Sequence, residues 1–372
     1  MSQIVVSTVG TSLLTNQIDR SNPEEKSWYA QLRDAANFKF DQISQTVTDI
    51  IQVLKQRALS VLKQSSIAKI REASAELNGI YGLYQADLSL GKHDRHYLLA
   101  TDTAQGQTTA EVVKTFLQNQ GIHYTEVVTP PGLSTVNTQT FAAGIDELIV
   151  WLRKTLAPER GRHQICFNLV GSFKSLQGYM NTIGMFYADK ILYIFEGQGS
   201  ELIVIPRLPI QVDANLLAPY ASQLAMLDEG ADFSEAEVQG IPESMLGDFA
   251  GKKVLSTWGK LIWDEVRQSL LSQELLAFPG LQYAETFRAD YNKAKDPQKR
   301  VALQADLAKV AHLLRTPKGD LAALDYKRYK NSDQIDHFRV DRSLRVSCRK
   351  ERGLQLRYYG THDHVERAEK VS

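Results

Sequence analysis

Long apolar runs, paired cysteines, nucleotide-loop signatures and a net charge are all missing from this chain. Cys166 and Cys348 are its two cysteines, distant in sequence and without CxxC partners, which excludes a disulfide framework and a cysteine zinc site. No apolar stretch reaches the length of a membrane span, and Ile4-Val5-Val6 reads as a buried strand rather than a signal peptide. The expectation is a soluble, cytoplasmic protein with no membrane partner. Neither G-x-G-x-x-G nor the P-loop pattern occurs, which disfavours a dinucleotide redox cofactor and nucleoside triphosphate hydrolysis. The 43 basic residues balance 43 acidic ones, so a globally basic nucleic-acid coat is excluded. Internal repeats and low-complexity tracts are also absent.

What is present is an ordinary globular composition, 43% hydrophobic and 23% charged, over 372 residues, which favours two or three domains. The zero net charge conceals a segregation. No Lys or Arg lies between Arg207 and Lys252, where Asp213, Asp228, Glu229, Asp232, Glu235, Glu237, Glu243 and Asp248 fall. From Lys327 to Arg357 the bias reverses, which points to a local polyanion site. Ile4–Val6, Tyr97–Ala100, Tyr124–Val128, Ile165–Leu169, Ile191–Phe195 and Leu202–Ile205 read as strands, with helices such as Thr109–Gln118 and Phe141–Lys154 between them. That alternation predicts an α/β fold around a parallel sheet over residues 1–210. A mostly helical insertion is expected at about 25–80, an acidic connector with short helices at 211–279, and a small α+β domain at 280–372. In the last two segments Lys260–Leu271 and Pro297–Leu314 read as helices, and Leu344–Cys348 and Leu354–Tyr359 as strands.

Three strand ends carry small polar residues: Ser7 to Ser12, Thr101 to Gln107, and Asn168 to Ser175. Glycine just beyond a strand lets backbone amides approach a phosphate, and the helix that follows adds its positive end. Each loop alone is an ordinary capped turn; three on one sheet make a ligand site. Ile4-Val5-Val6-Ser7-Thr8-Val9-Gly10-Thr11-Ser12, Ala73-Ser74-Ala75-Glu76-Leu77-Asn78 and Thr101-Asp102-Thr103-Ala104-Gln105-Gly106 resemble the CARF domains of CRISPR-associated proteins. The likeness continues through Asn168–Lys174 and from Tyr193-Ile194-Phe195-Glu196-Gly197 to Ile205-Pro206-Arg207-Leu208-Pro209-Ile210. The resemblance implies a Rossmann-like homodimer that binds a cyclic oligoadenylate, with cyclic tetra-adenylate the ring that best suits a twofold dimer. Carried over position by position, the binding residues are Thr8, Gly10, Thr11, Ser12, Thr101, Asp102, Thr103, Gly171, Ser172, Phe173 and Lys174. Where the family often has Gly-Gly before Phe-Lys, this chain has Gly171-Ser172.

The second constellation is an arginine-rich hairpin, Asp336-His337-Phe338-Arg339-Val340-Asp341-Arg342-Ser343-Leu344-Arg345-Val346-Ser347, then Leu354-Gln355-Leu356-Arg357-Tyr358-Tyr359-Gly360-Thr361-His362-Asp363-His364. Metal-free RNA cleavage requires a base for the 2′-OH, a cation for the pentacoordinate phosphate and an acid for the leaving 5′-oxygen. Arginine suits the second task, and His, Lys or Tyr the others. The spacing of Phe338-Arg339-Val340, Leu344-Arg345-Val346 and Thr361-His362-Asp363-His364-Val365-Glu366 resembles RelE-like toxins. By position Arg345 and His362 are the foremost catalytic candidates, with Arg339, Arg342, Arg349, Tyr358 and His364 in support; no metal is implied. Lys327, Arg328 and Lys330 resemble the family's RNA-contacting basic turn.

Together the two resemblances imply an mRNA interferase with no cofactor, activated by cyclic tetra-adenylate and acting on mRNA at the ribosome. The alternatives are a ring nuclease that cleaves its own activator and a ligand-controlled RNA-binding regulator without mRNA cleavage.

Overall fold

Each strand read in the first two hundred residues forms, and together they build one six-stranded sheet. A computed structural model of the chain describes residues 2–195, 201–316, 319–330, 332 and 334–370. Glu196 and Gly197 of the motif quoted above lie outside the described residues. The chain divides into two compact units, Met1–Ile210 and Gln211–Ser372.

The first unit runs β1 (Gln3–Thr8), α1 (Ser12–Thr15), α2 (Trp28–Asp34), α3 (Gln45–Gln64), α4 (Ile67–Ala73), α5 (Ala75–Leu83), β2 (Arg95–Leu99), α6 (Ala104–Asn119), β3 (Thr125–Val128), α7 (Thr138–Thr155), β4 (Gln164–Asn168), α8 (Lys174–Tyr187), β5 (Lys190–Ile194) and β6 (Leu202–Pro206). Its sheet order is β3-β2-β1-β4-β5-β6, parallel except where β6 pairs antiparallel with β5. This is a mixed α/β fold with Rossmann strand order, in which the chain reverses direction across the sheet between β1 and β4. Val5, Val6, Cys166 and Phe167 are fully buried, as central strands covered on both faces must be. The insertion is helical as expected. Its stripe Val47, Ile50, Ile51 and Leu54 packs with Leu14 and Ala104, so it is core and not an open groove.

The second unit runs α9 (Ala214–Leu217), α10 (Ala221–Asp228), β7 (Leu246–Phe249), β8 (Lys252–Leu255), α11 (Thr257–Leu271), β9 (Leu281–Tyr283), α12 (Glu285–Lys293), α13 (Pro297–Arg315), β10 (Lys327–Arg328), β11 (Asp336–Arg339), β12 (Leu344–Lys350), β13 (Leu354–Thr361) and α14 (His362–Glu369). Strands β10-β11-β12-β13-β9 form a five-stranded sheet, antiparallel except where β9 joins β13 in parallel. The reading of 211–279 as a connector needs correcting. Leu224, Met226, Phe233, Trp263 and Leu270 share one buried cluster with Leu307, Phe338, Val346 and Leu356, so the acidic stretch helps build the core of the C-terminal unit. Its acids had masked a regular apolar spacing. Both cysteines are buried free thiols.

Asp306 on α13 is an ionisable group this core tolerates poorly. Burial, reinforced by Glu229, pushes its carboxyl up to about 7. A carboxyl that holds its proton more tightly when folded stabilises the fold below the ordinary carboxylate range. That contribution is lost as pH rises from about 4 toward 7. Asp306→Asn should therefore flatten the pH dependence of unfolding over that window and leave the variant more stable at pH 8, by roughly 2 kcal/mol. Urea denaturation of the full chain at pH 5 and pH 8 measures both.

Candidate functional site

In the first unit the carboxyl ends of β1 and β4 lie side by side, and the loops that leave them touch. Thr8 is fully buried, and its hydroxyl donates to the carbonyl of Gly171. Gly10 N–H donates to Glu76 Oε1 at 2.6 Å, and Ser74 Oγ donates to Glu76 Oε2 at 2.7 Å. Glu76 is fully buried on α5, and desolvation raises its carboxyl above the usual range against the pull of those two hydrogen bonds. A Cβ on Gly171 would collide with the Glu76 carboxyl, so glycine is required where the second loop passes over the acid. Sequence reasoning quoted Glu76 without giving it a role. The available signal was an acid among the small and apolar residues Ala73 to Leu77, two positions after Ser74.

Ser172 adopts φ +124°, a region non-glycine residues rarely enter. Its Oγ is buried without a partner among the described residues. Phe173 caps the start of α8 and meets Phe141 edge-on, ring centroids 5.9 Å apart, while Lys174 is exposed at the first position of that helix. Thr11 and Ser12 open the short α1.

The β2 loop is held differently. Thr103 Oγ1 accepts from Gly106 N–H at 3.1 Å and lies 2.9 Å from Thr101 Oγ1, so both hydroxyls serve the start of α6. Asp102 accepts from Gly132 N–H at 3.0 Å and pairs with Lys39 of the insertion. Thr103 and Asp102 therefore fix the loop, and Lys39 is a cation the sequence reading overlooked at this edge.

In the second unit β12 turns alternate residues to opposite faces. Leu344, Val346 and Cys348 enter the core, which puts Arg345, Ser347 and Arg349 on the other face. Opposite Ser347 the pairing with β13 jumps from Tyr358 to Leu356, a bulge that leaves Arg357 over. The bulge sends Tyr359 into the core and leaves Tyr358 with the small cluster of Tyr329, Ile335 and Val365. Through Val365, α14 packs on this face. Glu369 Oε1 accepts from Ser347 Oγ at 2.7 Å and Arg357 Nε at 2.9 Å.

Glu366 stands between the two foremost candidates. Its Oε1 is 2.9 Å from His362 Nε2 and 3.9 Å from Arg345 Nη1. His362 Nδ1 lies 3.4 Å from Asp363 Oδ1. Arg345, His362 and Glu366 thus converge at the N-terminal half of α14. His364 does not join them. Two positions from His362, it occupies another side of the helix, and its Nε2 sits 3.0 Å from the buried carboxylate of Asp290 on α12. The stretch expected as a His-Asp turn is the first turn of α14, capped by Thr361, and His364 serves to dock that helix.

The remaining cations are dispersed. Arg339 Nε pairs with Asp325 at 2.8 Å, and Lys327 pairs with the same carboxylate. Arg328 pairs with the buried Asp336 at 3.0 Å. Lys330 and Arg342 are exposed in turns, and Arg349 lies four residues beyond Arg345 on its face of β12. Two polar side chains missed by sequence reasoning lie behind Arg345. Tyr329 and His337 are 6% and 8% exposed, with ring centroids 4.3 Å apart.

A protein-family model described as CRISPR-associated protein (Cas_APE2256) matches residues 71–208, from the end of α4 to just past β6. The match supports a CRISPR-associated protein. It covers Glu76, Asp102, Gly171 and Ser172 and lies wholly within the first unit. No described helix is long and apolar enough to cross a membrane.

Glu369 is the residue on which the seating of α14 depends. Its side chain is 3% exposed and its partner Arg357 31%, so Glu369→Ala strands a half-buried guanidinium and removes the acceptor of Ser347. The expected cost is about 2 kcal/mol. It should appear in chemical denaturation as a lower midpoint at unchanged m-value, with Glu369→Gln between the two.

Proposed function

We propose that this CRISPR-associated protein is a metal-independent endoribonuclease switched on by a cyclic oligoadenylate, with cyclic tetra-adenylate as the activator. The first unit supplies the sensor. The crevice at the carboxyl ends of β1 and β4 is where open α/β sheets take ligands, and glycine, hydroxyls and Lys174 there suit bridging phosphates. A homodimer presents two such edges to one ring.

The second unit supplies the chemistry. The observation that carries the reading is Arg345 and His362 meeting at one carboxylate, Glu366. A guanidinium stabilises charge growing on a phosphodiester, and an imidazole at hydrogen-bond distance moves a proton. Glu366 occupies the position a phosphate oxygen would take between them. The ribosome as the carrier of the mRNA substrate rests on the RelE-like spacing of the hairpin. Coupling requires that the ring bind one conformation of the protein more tightly than the other.

Toeprinting on mRNA-programmed ribosomes, with and without cyclic tetra-adenylate, tests the reading. Cleavage should depend on the ring and fall at least about 100-fold in Arg345→Ala and His362→Ala. Equal cleavage by either variant and the parent would sink the assigned chemistry. Loss of the labelled ring without any mRNA cut would move the enzymatic activity to the first unit.

A further inference from the structure

Tyr329 and His337 are both more than nine-tenths buried, and among the described residues neither Tyr329 Oη nor His337 Nδ1 has a hydrogen-bond partner. A buried polar atom left unpaired is costly, so two on neighbouring rings call for a reason. Their position supplies one. His337 on β11 is paired with Ser347 on β12 while Arg339 is paired with Arg345, which puts His337 diagonal to Arg345 on one face. Arg345 therefore has an imidazole on either side: His337 across the sheet, and His362 beyond Glu366.

The two rings have opposite surroundings. Desolvation lowers His337, and Arg345, Arg339 and Lys327 push the same way against Asp325 alone, so the ring stays neutral at neutral pH. Tyr329 packs tilted against it and is pushed up to about 12, chiefly by burial and against the pull of the Arg345 guanidinium, so it contributes no charge; Glu366 and Glu369 of α14 also face Tyr329. His362 lies between two carboxylates, its Nε2 2.9 Å from Glu366 Oε1 and its Nδ1 3.4 Å from Asp363 Oδ1, so an N–H of this ring has an acceptor within reach. His337 is thus the ring placed to accept a proton, and His362, at hydrogen-bond distance from a carboxylate, the ring placed to donate one.

We propose that His337 is the general base of the cleavage and His362 the general acid, with Arg345 between them on the phosphate. His337 Nε2 accepts the 2′-OH proton. The 2′-oxygen then bonds to phosphorus, the P–O5′ bond breaks, and His362 gives its proton to the departing 5′-oxygen. The products are a 2′,3′-cyclic phosphate and a 5′-OH, and solvent restores both rings. This assignment rests on the reading that the second unit cuts RNA.

The test uses the full chain, programmed ribosomes and cyclic tetra-adenylate, with single-turnover rates measured across pH. The parent should show a rate that rises with pH along a limb below the ordinary histidine range. His337→Gln should cut at least about 100-fold more slowly and lose that limb, with unchanged ring binding and circular dichroism. His337→Asn replaces it if the glutamine variant loses native dichroism. An mRNA with sulfur in place of the bridging 5′-oxygen needs no acid, so it should restore His362→Ala and leave His337→Gln slow. If the parent cuts no RNA, the underlying reading fails. If the parent cuts and His337→Gln keeps its rate or its limb, the assignment alone fails. Sulfur rescue of His337→Gln but not of His362→Ala would overturn it by reversing the roles.

Discussion

Parallel strands cannot be joined by a tight turn, and the adjacent parallel pair β1 and β4 governs most of the first unit. Between them in sequence the chain builds the helical insertion, β2 and β3, and returns to the other side of β1. Helices therefore leave β1 and β4 on opposite sides, and the two carboxyl ends share a crevice. That crevice brings the carbonyl of Gly171 within reach of the Thr8 hydroxyl. The gap beneath is filled by the Glu76 carboxyl, which satisfies Gly10 N–H where no strand partner can. The insertion is thus part of the site's foundation, because α5 carries the group that fixes both loops.

In the second unit one extra residue has comparable reach. Without the bulge at Arg357, Tyr358 would point into the core and Tyr359 toward α14. With it, Arg357 meets Glu369 at the end of α14, and Gly360 makes room for His364. A Cβ on Gly360 would lie 2.8 Å from His364 Cδ2. Helix α14 is thereby seated so that Glu366 reaches Arg345.

The first sheet was legible because its strands are short, β-branched and buried on both faces, a pattern that periodicity reads without knowledge of partners. The three loops were legible as glycine and hydroxyl clusters at strand ends. Residues whose role lies in whom they meet were not. Glu76 reads as a helix charge, and Lys39 as a surface lysine, until the fold brings each to its loop. The acidic stretch read as a connector because its charges outweighed the spacing of Leu224, Phe233 and Trp263. His362 and His364 both read as catalytic candidates, the first ahead of the second, and it is the helical register of α14 that sends them to different partners. Arg345 was recognisable by its place on a strand, while Tyr329 and His337 were not, since both look like core aromatics in an alternating pattern.

The arginine-rich hairpin reads in sequence as a surface in want of an anion, yet much of its charge is already answered. Asp325 serves Lys327 and Arg339, Asp336 serves Arg328, Glu369 serves Arg357, and Glu366 serves Arg345 and His362. An incoming phosphate must displace a carboxylate tethered in the same molecule, whose effective concentration is on the order of millimolar or above. Free RNA contacting this face alone meets that competition with a few screened charges. A substrate held on a large particle brings binding energy from elsewhere and offsets the displacement of Glu366 at the moment of cleavage. On the proposed reading, Glu366 is what makes a bare RNA strand a poor substrate and a ribosome-bound one a good one.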